Sequence, residues 1–233
     1  RGRCESFLRG PEVSRIPLSI GISSDGALLE LRVSDQTIKL NAGEHSGWVA
    51  VKFSVRGRTA FGRCRFHYLS GAPSFRLYVT AIHIDAERPV MPISSPGYYS
   101  SYLAKRYGAF ATLGMAEDTG ALTDGVLDPV SFLEQAYELQ DEHERVFLDA
   151  MERTRDGLCA AVFDMPDRIQ HMFFREDSGS NGSGSGVIDK AYVAMDRFVG
   201  RVLEKADNRT LVLAISDHGF TRFDKGVNLN VWL

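Results

Sequence analysis

Across residues 13–84, apolar and polar positions alternate with the period of a β-strand. Segments 27–33 (ALLELRV), 36–40 (QTIKL), 48–55 (WVAVKFSV) and 75–82 (FRLYVTAI) are rich in β-branched and aromatic residues, which suit a pleated, half-buried surface. Turn signals separate them: Ser24-Asp25-Gly26, Asn41-Ala42-Gly43, Arg56-Gly57 and Ser70-Gly71-Ala72-Pro73. In Arg56-Gly57-Arg58 the glycine is placed for the positive φ of a tight hairpin. The pattern predicts an antiparallel β-rich module over residues 1–88, a small sandwich or half-barrel.

Beyond residue 89 the period lengthens. Ser95-Pro96-Gly97 breaks the strand run, and 98–107 reads as a short helix. Asp128-Pro129 opens a longer one, with Asp as N-cap and Pro at the first helical position. Its apolar face holds Phe132, Leu133, Ala136, Tyr137, Leu139, Val146, Phe147, Ala150 and Met151, and Gly157 is the expected stop. Two short apolar runs, 158–163 (LCAAVF) and 210–215 (TLVLAI), alternate with a helix over 187–206. Helix, buried strand, helix, buried strand predicts an α/β fold over 89–233, part of a parallel sheet flanked by helices. The Ser/Gly/Asn run at 178–186 reads as a flexible linker without chemistry. The chain opens on Arg1 and closes on the apolar Val231-Trp232-Leu233, so it reads as a piece of a longer protein.

Composition narrows the function classes. Hydrophobic residues at 44% and charged residues at 24% are globular values that exclude a wholly disordered chain. A net charge of −3 argues against a duplex nucleic-acid partner. No apolar run approaches the roughly 18 residues of a membrane span. Cys4, Cys64 and Cys159 lie far apart with no CxxC pair. They make a poor disulfide framework and a poor zinc-thiolate site, which favours a reducing, cytoplasmic setting.

In α/β sheets, ligands bind beyond the carboxyl ends of the strands. The first apolar run leads into Asp164-Met165-Pro166-Asp167-Arg168-Ile169-Gln170-His171, and the second into Ser216-Asp217-His218-Gly219-Phe220. Each delivers an Asp and a His, ligand types that a catalytic zinc ion takes alongside water. Asp167 and His171 are four apart and share one face of a helical turn. Asp217 and His218 are adjacent and diverge, which suits two metal centres a few ångströms apart. Asp164 reads as a helix cap and Gly219 as a tight backbone position beside an ion. The candidate metal ligands are therefore Asp167, His171, Asp217 and His218. No residue is assigned as catalytic, and none as binding an organic cofactor.

Ser216-Asp217-His218-Gly219-Phe220 after an apolar strand resembles the SDHG signature of the alkaline phosphatase superfamily. Pro166-Asp167-x-x-x-His171 looks like the PDxxGH motif of its type I phosphodiesterase/nucleotide pyrophosphatase branch, with Gln170 where Gly is usual. The resemblance covers about 158–233, and more softly 75–115, where bacterial members carry a β-rich insertion. It implies an alkaline-phosphatase-like core and a site for two divalent ions, usually Zn²⁺. Asp217 and His218 would serve one ion, and Asp167 and His171 the other. It further implies a small-molecule phosphate-ester or pyrophosphate substrate, attacked by a Thr or Ser nucleophile held between the ions. That nucleophile and two of six expected ligands have no counterpart here, so the chain alone is expected to be inactive. Sulfatase or phosphomutase chemistry, or a non-catalytic β-rich binding or assembly module, are the alternative readings.

Other polar residues have plainer readings. His45, His67 and His83 read as surface or core imidazoles of the β module, and Ser216 as part of a strand exit. His143 among Asp141, Glu142 and Glu144 reads as a solvated helix face. Arg63 and Arg65 need no anion-steering role, 115–119 is a connecting loop, and Phe173-Phe174 belongs to the core.

Overall fold

A computed structural model describes residues 14–55, 57–71, 73–177, 186–221 and 225–232. The Gly/Ser run, but for Gly186, and Cys4 lie outside the described residues. Contacts divide the chain into two compact units.

The first unit holds the described residues up to Asp118 together with Asp124–Leu127. Its strands are β1 (Leu18–Ile22), β2 (Leu28–Val33), β3 (Gln36–Asn41), β4 (Glu44–His45), β5 (Val49–Val55), β6 (Arg58–Cys64), β7 (Phe66–Ser70), β8 (Arg76–Val79) and β9 (His83–Ile84). They form three antiparallel sheets, ordered β1-β2-β3, β4-β7-β8 and β5-β6-β9. The period-2 pattern explains their packing. In β2, Leu29, Leu31 and Val33 are buried, while Glu30 and Arg32 pair on the outer face. One core joins all three sheets through Leu29, Leu31, Leu40, Val51, Phe66 and Tyr68. The expected hairpin closes with Val55 opposite Arg58 and Gly57 at φ +74°. Gly71 is required for another reason. A Cβ there would lie 2.1 Å from the Tyr68 hydroxyl, which donates to the Gly26 carbonyl at 2.7 Å.

Segment 89–118, grouped by its sequence pattern with the α/β part, makes its contacts in this first unit. Helix α1 (Tyr99–Tyr107) is tied back through the Ser101 hydroxyl, which donates to the Glu87 carbonyl. Thr112 N–H and Leu113 N–H donate to His83 Nδ1, and the Tyr78 hydroxyl donates to Asp118. Arg63 is held by Asp85 at 3.0 Å, and the Arg65 guanidinium lies over the Trp48 ring.

The second unit holds α2 (Thr119–Thr123), α3 (Pro129–Arg153), α4 (Met165–Asp177), α5 (Val187–Lys205) and α6 (Leu229–Trp232). Helix α3 opens as its sequence predicts: Ser131 N–H donates to the Asp128 carboxylate at 2.9 Å, and Pro129 follows the cap. It closes at Arg153, before Gly157, where Thr154 turns to extended backbone (φ −80°, ψ 109°) while its hydroxyl and N–H both donate to the Ala150 carbonyl. Phe132, Ala136, Met165, Ile169, Phe173 and Ala191 knit α3, α4 and α5 together. The expectation of a solvated face at 141–144 fails in part. Glu142 and Glu144 are buried, and Glu144 accepts from Gln140 of its own helix and from Arg201 of α5.

The parallel sheet expected over 89–233 is not shown. Segments 158–163 and 210–215 carry no β-ladder, and Leu158, Val162, Leu211, Leu213 and Ile215 are largely exposed. Phe163 and Val212 pack against the core of Leu148, Phe198 and Val202. The fold that is observed is mixed α/β, with small antiparallel sheets and helices. Among the described residues no helix is long and apolar enough to cross a membrane.

Candidate functional site

Helix α4 has two working faces. Met165, Ile169 and Phe173, spaced by four, enter the core of the second unit. Asp167, His171 and Phe174 follow at i, i+4 and i+7 and share another face. Arg168 N–H donates to the Asp164 carbonyl, closing the first turn, so Asp164 sits at the helix start. Asp167 in that turn is favoured by the partial positive charge of the helix N-terminus. Gln170 is buried and receives the Tyr192 hydroxyl of α5.

The loop after 210–215 turns on local hydrogen bonds. The Ser216 hydroxyl donates to the His218 carbonyl, and His218 N–H donates to Asp217 Oδ1 at 3.1 Å. His218 Nδ1 lies 3.2 Å from the Gly219 carbonyl. Donation through that contact keeps the proton on Nδ1 and leaves Nε2 with a lone pair. Gly219 has open space around it, so the expected tight backbone is not seen there.

Three of the four predicted side chains, Asp167, His171 and His218, come together, and Asp217 reaches only its neighbour His218. His171 Nε2 stands 3.4 Å and His218 Nε2 3.6 Å from the same atom, Asp167 Oδ1. His218 Nε2 is also 3.8 Å from Asp217 Oδ2. Asp167 Oδ1 is buried and accepts no hydrogen bond, although the imidazoles are half exposed and the Asp217 side chain is 90% exposed. Asp167 Oδ2 faces Arg168 Nη1 at 3.4 Å.

Such an oxygen fits a cation. A buried acceptor without a donor costs about 1–3 kcal/mol. Its two imidazole neighbours stand near the donor–donor edge of tetrahedral zinc, about 3.4 Å for ligands about 2.1 Å from the ion. Nitrogen and oxygen donors with a second-shell carbonyl behind one imidazole are what zinc sites use. Among the described residues, however, no group of three or more His, Cys, Asp or Glu is placed so as to hold a metal ion. The fit lies in pairs of donors about one oxygen.

The family model of type I phosphodiesterase / nucleotide pyrophosphatase matches residues 79–233. The chain belongs to this family. The match spans α4, the 216–220 loop and all four candidate ligands. No curated protein and no solved structure matches the chain. This phosphodiesterase-family chain is thus identified by its motifs and its family model together.

Two neighbours escape motif reading. Arg168 stands beside Asp167, and Phe220 packs against both imidazoles, 4.9 Å from His171 and 5.5 Å from His218 between ring centroids. The spacing of Phe220, two residues past His218, was the available signal.

Proposed function

We propose that the cluster is the metal-binding half of a phosphodiesterase site that cleaves phosphate-ester or pyrophosphate bonds in small molecules. The observation that supports this reading is the orphaned Asp167 Oδ1, approached by His171 Nε2 and His218 Nε2 at 3.4 and 3.6 Å. Asp167, His171, Asp217 and His218 would hold two divalent ions, zinc by the chemistry of the donor set. When bound, such ions supply Lewis acidity toward phosphoryl oxygens and lower the pKa of an attacking oxygen.

The chain's own residues do the rest. Arg168 offsets the charge on Asp167 Oδ2 and leaves Oδ1 turned to the imidazoles. The Gly219 carbonyl holds the proton of His218 on Nδ1, which frees Nε2 as a donor. Ser216 is spent on the His218 carbonyl, so it shapes the loop rather than attacking phosphorus. The exposed faces of His171, His218 and Asp217 leave room for an anionic ester to approach from solvent. The same reading has 158–163 and 210–215 as strands of a parallel sheet, since both are apolar and both lead into the site.

Titration of Zn²⁺ into the metal-stripped chain tests the proposal. Binding is expected in the wild type and loss of it in Asp167→Ala and His218→Ala. A wild-type chain that binds no divalent ion refutes the reading. Comparing bis-nitrophenyl phosphate, nitrophenyl phosphate and nitrophenyl sulfate then separates diesterase, monoesterase and sulfatase chemistry.

A further inference from the structure

The Phe220 ring packs against three rings, His171 and Phe174 of α4 and His218 of its own loop. Its centroid is 4.9 Å from His171 with the planes at 75°, 5.5 Å from His218 at 59°, and 5.9 Å from Phe174 at 38°. His171 and Phe174 are three apart on α4, whereas Phe220 belongs to the loop that carries Asp217 and His218. One side chain therefore bridges the two segments that supply the candidate ligands.

We propose that Phe220 is a positioning residue: an aromatic wall that sets both imidazoles with Nε2 toward Asp167 Oδ1. This rests on the metal-site reading above. The geometry carries the argument. Edge-on and tilted aromatic contacts have a preferred orientation, which a shapeless apolar contact lacks. His171 is half exposed and has rotamer freedom to swing into solvent; the Phe220 ring, nearly perpendicular to it, blocks one side of that swing. His218 has one further restraint, the Gly219 carbonyl at Nδ1, and the Phe220 ring packs against the same imidazole. Groups that orient ligands from behind typically change metal affinity about 10- to 100-fold when lost.

The bland alternative is that Phe220 only anchors the loop by apolar burial. Phe220→Leu keeps apolar bulk without a ring, and Phe220→Tyr keeps the ring. Cobalt(II) is the probe, added to the metal-stripped full chain and followed by its visible d–d absorption. Phe220→Leu is expected to weaken cobalt binding about 10-fold or more and to alter the band shape, and Phe220→Tyr to restore both. A Leu variant with wild-type affinity and spectrum overturns the inference. A second measurement needs no metal. In the metal-free chain, nuclear Overhauser contacts from the Cε1–H protons of His171 and His218 to the Asp167 Cβ protons should persist in Phe220→Tyr and vanish in Phe220→Leu. Were the wild type to take up no cobalt, the metal reading would fail, while these contacts would still decide the role of Phe220. Their persistence in the Leu variant would refute it.

Discussion

Replacing Asp167 by Asn should make the metal-free chain no less stable, and slightly more stable, while removing its response to metal. The reasoning starts from Oδ1, buried, without a donor, and facing two imidazole nitrogens at 3.4 and 3.6 Å. An acceptor held so costs about 1–3 kcal/mol. An amide of the same shape can turn its N–H groups to those lone pairs and recover much of that. Against it stand the contact with Arg168, worth at most about 1 kcal/mol between partly solvated groups, and the helix N-terminus, about 0.3–1 kcal/mol. Taken at mid-range, the balance is a gain of about 1 kcal/mol, or about 2–4 °C in melting temperature for a chain of this size.

In the presence of metal the order should reverse. A ligand at about 100 times its Kd stabilises the native state by about 2.7 kcal/mol, which the wild type should show and Asp167→Asn should lack. Calorimetric melts of both proteins, in chelator and in excess Zn²⁺, give the four numbers required. The crossing is diagnostic, because a merely structural Asp would lose stability under both conditions. A variant destabilised by about 1 kcal/mol in chelator, or one retaining the zinc-induced shift, refutes the account.

Three further outcomes are expected. His83 is buried beside Arg65, and burial first, then that charge, lowers its pKa from 6.5 to about 4. Between those values the unfolded chain binds a proton that the folded chain refuses. Stability is therefore complete above about pH 6.5 and falls toward pH 4, by at most about 3 kcal/mol. Denaturant melts of His83→Asn, whose amide oxygen can accept from Thr112 and Leu113, should show a flatter pH profile; an unchanged profile contradicts the assignment. Asp128→Ala removes the cap of α3 and should cost about 1 kcal/mol in the same melts, with no loss pointing to another partner for Ser131 N–H. Amide exchange at 158–163 and 210–215 examines the parallel-sheet proposal: protection comparable to that of β5 and β6 supports it, and exchange at coil rates removes it.

Most of what was legible in the sequence is local. The cap at Asp128-Pro129, the positive φ of Gly57 and the alternation in β2 depend on neighbours in sequence, and each appears where the pattern puts it. The fate of Glu142 and Glu144 was not legible, because their burial depends on Arg201 and other groups outside their own turn of helix. For 158–163 and 210–215 the sequence supplies only part of what a sheet requires. An apolar run states a preference for burial, but a ladder needs a partner strand, which the run does not encode. Of the site, the ligand types and their spacing were readable. The meeting of His218 with Asp167 was not, because 51 positions separate them and only the fold closes that distance.

The halves of the site rest on unequal foundations, and this bears on how it works. Asp167 and His171 ride on α4, whose other face is locked by Met165, Ile169 and Phe173 in the core. Asp217 and His218 ride on a loop held by short-range bonds from Ser216, Asp217 and His218 to neighbours one or two residues away. Local bonds of that kind fix the shape of a loop without fixing where it lies. Placement against α4 is left to contacts such as those of Phe220 with His171 and Phe174. A cation between Asp167 Oδ1 and the imidazoles would therefore act on the loop more than on the helix, so metal binding should order residues 216–220 and leave α4 nearly unchanged.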